Sequence, residues 1–134
     1  YGDMAGGYAP LGDLYKMEVY ALAREYNQRL GKDAVNESTL TKPPSAELAP
    51  DQKDEDSLPP YPVLDEILRL HIEDGLDATE IIGQGHDSMV VKEVLTRLAR
   101  NEHKRWQMPP APRVSKRAFG QGWRQPLAAR HDWR

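Results

Sequence analysis

The sequence contains no cysteine and only one phenylalanine. Without cysteine, the chain cannot form a disulfide framework, a thiolate metal site or a cysteine nucleophile. It also has no run of 18 apolar residues, which excludes a helix that spans a membrane. Val, Ile, Leu and Phe together make up 26 of the 134 residues, which is little material for a self-sufficient core. We therefore expect a piece of a larger protein, and a first residue other than Met agrees with this expectation.

The net charge of −3 hides an uneven distribution of charge along the chain. Residues 1–96 contain 8 basic and 19 acidic side chains, whereas residues 97–134 contain 10 basic and 2 acidic ones. Such a basic segment suggests an anionic partner, which could be nucleic acid, a phosphate ligand or an acidic protein surface. We favour a basic arm that lies on the same chain or on a partner subunit, and expect no nucleic acid. No secretory signal is recognisable, so we expect a cytoplasmic protein that binds no membrane.

A helix is predicted over residues 13–30. Asp13 is suited to cap its start and Gly31 to end it. Lys16 falls in the first turn, where a cation opposes the helix dipole. It is either an ordinary surface lysine or a residue that faces an anion at the helix N-terminus. The apolar side chains recur every three or four residues and therefore share one face: Leu11, Tyr15, Val19, Leu22, Tyr26 and Leu30.

Residues 32–62 are predicted to lack an ordinary helix, because six prolines interrupt them. A loop of this length in a compact chain is usually either functional or disordered. Its carboxylates are either solvated or available to hold Mg²⁺ or the hydroxyl groups of a ligand. The carboxylates on either side of Lys53 are Glu47, Asp51, Asp54, Glu55 and Asp56.

Three further helices are predicted after this loop. Pro62 is suited to start the first of them, and Gly75 to close it. Asp77 and Glu80 resemble a capping box, which predicts a short helix through residue 82. Asp87 is suited to cap the last helix.

The last predicted helix runs into the basic residues 101–105, where cations are favourable beside a helix C-terminus. After Pro109 we expect irregular structure with few contacts of its own. The residues thus predict three or four helices around a long acidic, proline-rich loop, with a basic tail and no strand. The four histidines are too scattered for a metal site, and no catalytic Ser/His/Asp arrangement is evident. These features alone do not indicate a function.

Four segments of the chain form a more specific pattern. They read YGDMAGGYAPLGDLYK at 1–16, KPPSAEL at 42–48, DQKDEDSLPPY at 51–61 and NEHKR at 101–105. In this order and spacing they closely resemble the C-terminal part of NAD⁺ synthetases, and the resemblance covers essentially the whole chain. The Pro-Pro-Tyr motif and the residues that follow it are similar to the bacterial, glutamine-dependent type.

The resemblance implies a ligase. Members of this family activate the carboxylate of deamido-NAD⁺ with ATP, which gives an adenylate and pyrophosphate, and ammonia then gives NAD⁺ and AMP. In glutamine-dependent members, a separate N-terminal amidase domain with a cysteine nucleophile supplies the ammonia. The synthetase domain is an α/β fold of the ATP-pyrophosphatase type (adenine nucleotide alpha hydrolase-like), with a Ser-Gly-Gly-x-Asp-Ser phosphate loop.

This sequence contains no such phosphate loop and no strands that would build a sheet. Residues 1–134 therefore resemble a mostly α fragment, the C-terminal part of the synthetase domain without the amidase domain and the phosphate-loop half. We expect the isolated segment to be inactive and the ligands of Mg²⁺ to lie outside it. Catalysis in the family is mostly positioning and charge stabilisation, so no catalytic residue is expected here. A homo-oligomer is expected for the intact enzyme.

The resemblance implies binding roles for those residues of this sequence that match binding residues of the family. Lys16 corresponds to a lysine that contacts ATP, and Ser45 aligns with a hydroxyl residue at the nucleotide site. His103 and Lys104 match a His-Lys pair that contacts deamido-NAD⁺. Some members have an aspartate at the position of Gly7 that contacts the dinucleotide; glycine lacks this carboxylate, so the resemblance leaves a contact at residue 7 open.

The acidic residues 51–57 align with a mobile loop that orders over bound ligands, and Asp54 and Glu55 are the candidates within it. Two alternatives remain at this stage. One is the ammonia-dependent synthetase, which has no amidase domain. The other is a non-enzymatic helical interaction module that binds an anionic partner with its basic tail.

Overall fold

The computed structural model describes residues 6–45, 54, 57–117 and 122–129. Over these residues the chain forms helices and no strand, and none of the helices is long and apolar enough to cross a membrane. The predicted helical character is confirmed for this part of the chain, with six helices in place of three or four. They are α1 (Lys16–Leu30), α2 (Glu37–Thr41), α3 (Tyr61–Ile72), α4 (Ala78–Gly83), α5 (Ser88–Arg100) and α6 (Glu102–Gln107).

The two additional helices are short. Helix α2 forms where no ordinary helix was predicted, in a proline-free interval between Gly31 and Pro43. Helix α6 separates from α5 at Asn101, although one continuous helix was predicted. The Asn101 side chain donates to the carbonyl oxygen of Arg97 at 2.8 Å, which ends α5 with a local hydrogen bond.

The chain divides into two compact units, Tyr15–Asp65 and a larger unit made of Tyr1–Leu14 with Glu66–Arg134. The larger unit holds the buried apolar core. On α5 the buried side chains recur at spacings of three and one, as the predicted apolar stripe requires. The core side chains are Ile67, Leu70, Ile72, Ala78, Ile81, Val91, Val94 and Leu95.

Local signals fix the helix starts of the larger unit. The Asp77 carboxylate accepts the backbone N–H of Glu80, and the Glu80 carboxylate accepts the backbone N–H of Asp77, both at 2.8 Å. Asp87 accepts the backbone N–H groups of Met89 and Val90. The predicted capping box and the predicted cap of the following helix are thus both confirmed.

Asp13 does not cap α1, so the predicted start of this helix is wrong. Helix α1 begins at Lys16, with Tyr15 before it as the cap residue. The Asp13 carboxylate is 3% exposed and accepts the backbone N–H groups of Val114 and Ser115 at 2.7 and 2.8 Å. It also accepts the Ser115 hydroxyl at 3.0 Å. The carboxylate therefore anchors the distant tail and is engaged away from the helix.

In residues 110–117 and 122–129 the tail is irregular, as predicted, but the expectation of few contacts is wrong. The tail makes further contacts besides its hydrogen bonds to Asp13. The Lys116 backbone N–H donates to Glu73 at 3.0 Å, and the Lys116 ammonium lies 3.3 Å from Asp74. The Asp74 carboxylate also pairs with Arg69 at 2.7 Å. These contacts agree with a basic arm that lies on acidic groups of its own unit.

In the smaller unit, α1 has the predicted apolar face, but none of its side chains is buried in the described structure. Leu22, Tyr26 and Leu30 on this face are 44–52% exposed. The helix ends as predicted at Gly31, whose φ of 61° lies in the left-handed region that glycine adopts without strain.

Candidate functional site

Lys16 is the first residue of α1, and two aromatic rings flank its ammonium group. The Nζ atom lies 5.5 Å from the centroid of the Tyr20 ring and 5.6 Å from that of Tyr61. Both distances are within the range of cation–π attraction. The rings therefore hold the cation in place without occupying its N–H donors, and in the described residues Nζ has no hydrogen bond or ion pair.

The carboxylate of Asp65 lies at the N-terminus of α1. It accepts the backbone N–H of Met17 at 2.7 Å. Burial raises the pKa of Asp65, and the backbone N–H groups of Met17 and Lys16 oppose this rise. The anion that shares the helix N-terminus with Lys16 is thus a carboxylate of the same unit, and it offsets the unfavourable placement of a cation there.

Asp54 forms hydrogen bonds with Tyr61 at the start of α3 and with Pro44, which precedes the acidic loop. The Tyr61 hydroxyl donates to the Asp54 carboxylate at 2.6 Å, and the Asp54 backbone N–H donates to the carbonyl oxygen of Pro44 at 2.9 Å. Burial, and then the Asp54 carboxylate, raise the pKa of Tyr61 well above its usual value. The phenol therefore stays protonated as a donor at any physiological pH.

The smaller unit thus brings together several of the predicted residues. Tyr61 contacts both Asp54 and Lys16, and the half-buried Ser45 follows Pro44 directly. Glu55, the other loop candidate, lies outside the described residues. Sequence reasoning did not assign Tyr61 or Asp65 to the site, although the Pro-Pro-Tyr motif was a signal for Tyr61.

The other predicted pair lies on α6 in the larger unit. His103 and Lys104 are both exposed, whereas Glu102 and Arg105 are 1% and 6% exposed. The Arg105 guanidinium donates to the Glu102 carboxylate through two nitrogens, with Nε at 3.0 Å. Burial lowers the pKa of Arg105, and the Glu102 carboxylate opposes this effect. Because Glu102 and Arg105 are buried, the predicted binding pair between them faces outward.

Gly7 is exposed, and a Cβ atom added there would meet no described atom within 4 Å, so the position has room for the aspartate that the family resemblance implies for some members. In the described part of the chain, no group of three or more His, Asp or Glu side chains could hold a metal ion.

The sequence model of NAD synthase matches residues 1–109. The chain belongs to the NAD synthase family. A glutamine-dependent NAD⁺ synthetase from Thermotoga maritima is 50% identical over 130 residues, which is 97% of this chain and 23% of that protein. One from Aquifex aeolicus is 49% identical over 127 residues, which is 95% of this chain and 22% of that protein.

A solved structure is also similar to this NAD synthase chain. It is the glutamine-dependent NAD⁺ synthetase from Acinetobacter baumannii in complex with ADP, with a TM-score of 0.51 and 38% identity. The match covers 95% of this chain and 22% of that one. This chain therefore spans less than a quarter of the length of these relatives.

Proposed function

We propose that residues 1–134 are the C-terminal segment of the synthetase domain of a glutamine-dependent NAD⁺ synthetase. The observation that carries this proposal is the 50% identity to such an enzyme over 97% of the chain. The intact enzyme converts deamido-NAD⁺, ATP and glutamine-derived ammonia to NAD⁺, AMP and pyrophosphate through an adenylate. The relatives favour this function over the ammonia-dependent enzyme and over a non-enzymatic interaction module.

We assign the catalytic sheet and the glutamine amidase to the part of the enzyme outside residues 1–134. The described residues contain no strand, and the sequence contains neither cysteine nor a Ser-Gly-Gly-x-Asp-Ser loop. The resemblance to NAD⁺ synthetases supports an α/β fold of the ATP-pyrophosphatase type for the whole domain. On the same resemblance, the Mg²⁺ ligands are assigned outside this segment. We further assign the intact enzyme to the cytoplasm, as a homo-oligomer.

Lys16 and Ser45 are assigned to ATP. The Lys16 ammonium is held between two rings, while its N–H donors remain available for phosphate oxygens. A lysine is suited to phosphate as a point charge. It would stabilise the charge that develops on the phosphates as the adenylate forms and pyrophosphate leaves. The similar enzyme from A. baumannii was solved in complex with ADP, which supports nucleotide binding by the intact enzyme.

His103 and Lys104 are assigned to deamido-NAD⁺. Both side chains are exposed on α6, whereas the residues on either side of the pair are buried. Deamido-NAD⁺ carries a pyrophosphate and a free nicotinate carboxylate, and the Lys104 ammonium can bind either anion. Asp54, and Glu55 beyond the described residues, are assigned to the loop that orders over the bound ligands.

Lys16→Met and Lys104→Met in the intact enzyme test these assignments. Methionine keeps much of the packing of the stem and removes the charge. We expect Lys16→Met to raise the KM for ATP about tenfold or more, and Lys104→Met to do the same for deamido-NAD⁺, which corresponds to about 1.4 kcal/mol of binding. Equal losses for both substrates in both variants, or melting temperatures that explain the lost activity, would contradict the assignments.

The fragment itself offers a second test. The purified 134-residue chain should not form NAD⁺ from ATP, deamido-NAD⁺ and ammonia, because it lacks the backbone donors of a phosphate loop. Turnover by the fragment alone would show that the catalytic residues lie within it.

A further inference from the structure

Two adjacent residues of the tail stack against two adjacent residues of α6. The guanidinium carbon of Arg105 lies 4.4 Å from the centroid of the Trp123 ring. The guanidinium carbon of Arg124 lies 4.3 Å from the centroid of the Trp106 ring. The helix and the tail thus each supply one cation and one ring. We call these four residues the clasp.

The clasp is fixed to the core of the larger unit. The Trp123 ring also meets the ring of His71 on α3 edge-on, at 5.4 Å and 77°. Nδ1 of His71 lies 2.8 Å from the carbonyl oxygen of Leu76, which holds the imidazole in place. Arg105, the other partner of the Trp123 ring, is buried in its ion pair with Glu102. Trp123 therefore joins α3 to α6.

Helix α6 needs such contacts to keep its orientation. It has six residues, and a helix this short is not stable by its own hydrogen bonds. Its rotation about its axis decides whether His103 and Lys104 point outward. The Glu102–Arg105 ion pair lies within α6, so this rotation is held by the burial of these two side chains and by the contacts of the clasp with the tail.

We propose that Trp123 and Arg124 are positioning residues, which hold α6 so that His103 and Lys104 meet deamido-NAD⁺. This inference rests on the proposed function of that pair. A displacement of about 1 Å in a binding group can cost a large factor in activity. The basic tail thus serves the dinucleotide site without touching the dinucleotide.

Arg124→Gln in the intact enzyme is the central test. Arg124 is exposed, so its loss leaves no cavity and should hardly change the melting temperature. We expect the KM for deamido-NAD⁺ to rise about three- to tenfold, with the KM for ATP within about twofold of wild type. Arg117→Gln is the matched control, because it removes the same charge from an exposed tail residue outside the clasp.

The role of Trp123 is tested with two substitutions, one that removes the aromatic ring and one that keeps a smaller ring. Trp123→Leu should raise the KM for deamido-NAD⁺ at least as much as Arg124→Gln does, and Trp123→Phe, which keeps a ring for Arg105, should recover most of the loss. If Trp123→Leu does not fold, Arg124→Gln and Trp123→Phe still decide the matter. A rise in KM that is the same in Arg124→Gln and Arg117→Gln would overturn the inference and indicate a simple charge effect.

Lys104→Met, measured alongside, separates the inference from the proposed function. If Lys104→Met leaves the KM for deamido-NAD⁺ unchanged, the assignment of the binding pair fails, and the inference fails with it. If Lys104→Met raises this KM but Arg124→Gln and Trp123→Leu do not, only the inference fails. Because Arg124 acts through the pair, the Lys104→Met/Arg124→Gln variant should lose less than the product of the two single effects. Full multiplicativity would overturn the positioning role.

Discussion

Replacing Tyr61 by Phe tests whether one hydroxyl group holds the acidic segment at Asp54. The hydroxyl donates to the Asp54 carboxylate at 2.6 Å, and the Asp54 backbone N–H donates to Pro44 at 2.9 Å. The substitution keeps the ring beside Lys16 and removes only the donor. We therefore expect it to release residue 54 without displacing the lysine.

The size of the effect follows from this hydrogen bond. A hydrogen bond to a charged group contributes about 1.5–3 kcal/mol net. Because Tyr61 and Asp54 are only half-buried, water competes for both groups, and we expect about 1–2 kcal/mol here. This free energy corresponds to about a five- to thirtyfold increase in the population of the opened segment.

Hydrogen–deuterium exchange of the Asp54 amide in the ligand-free intact enzyme measures this opening. The exchange rate should rise by the same factor in Tyr61→Phe. Tyr20→Phe is the matched control, since Tyr20 also lies beside Lys16 and its hydroxyl makes no hydrogen bond within the described structure. Equal exchange rates in wild type and Tyr61→Phe would refute the reasoning, as would an equal rise in both variants.

The same variant has a signature at alkaline pH. The pKa of Tyr61 is raised by burial and by Asp54, whereas an unfolded tyrosine has a pKa of about 10. The folded protein thus keeps the proton where the unfolded chain loses it. The stabilisation is fully present below about pH 10 and is lost as the pH rises toward the folded pKa. Melting temperatures of Tyr61→Phe should therefore fall less steeply above this pH than those of wild type.

Substitutions of three other carboxylates test the anchor of the tail and the pH dependence of stability. Asp13→Ala should destabilise the 114–115 segment by about 2–4 kcal/mol, which would be measured as faster amide exchange in that segment. Ser115→Ala removes only one of the hydrogen bonds to Asp13 and should cost about 1 kcal/mol. Equal effects of the two substitutions would contradict the role of Asp13 as the anchor. Because its lysine and arginine partners lower the pKa of Asp74, its contribution to stability is lost as the pH falls, and Asp74→Asn should flatten that loss in melting curves. Burial raises the pKa of Asp65, so the ionised carboxylate lowers the stability of the folded protein at neutral pH. The wild-type protein should therefore gain stability when the pH is lowered, and Asp65→Asn should remove this gain. A change of the same sign in both Asn variants would argue against these environments.

Local interactions were predictable from the sequence. The capping box of Asp77 and Glu80 and the cap at Asp87 join groups two or three residues apart, and Gly31 ends α1 through its own backbone conformation. Such signals are contained within one turn of helix, so no knowledge of the remaining chain is needed. The break at Asn101 was missed because an asparagine next to a basic helix end does not by itself require a stop.

The sequence predicted the candidate binding residues but not the groups that surround them. The resemblance to NAD⁺ synthetases pointed to Lys16 and to the pair on α6, and the structure places the former at the start of a helix and the latter on an exposed surface. The residues that surround them carry no such signal. Asp65 and Trp123 are ordinary residues in the sequence and become part of a site only through the groups that they contact.

Tertiary structure decided which partner each long-range group takes. Asp13 is a good helix cap by its chemistry, yet its carboxylate binds backbone N–H groups 101 and 102 residues away. A carboxylate accepts hydrogen bonds from any suitably placed donor, so its residue type determines that it will bind N–H groups but not which ones. The sequence by itself therefore determined the longer helices, the local caps at Asp77 and Asp87, the stop at Gly31 and the candidate binding residues. The packing of distant segments determined the anchor of the tail, the carboxylate at the start of α1 and the clasp around α6, because each of these brings together groups that only the folded chain makes neighbours.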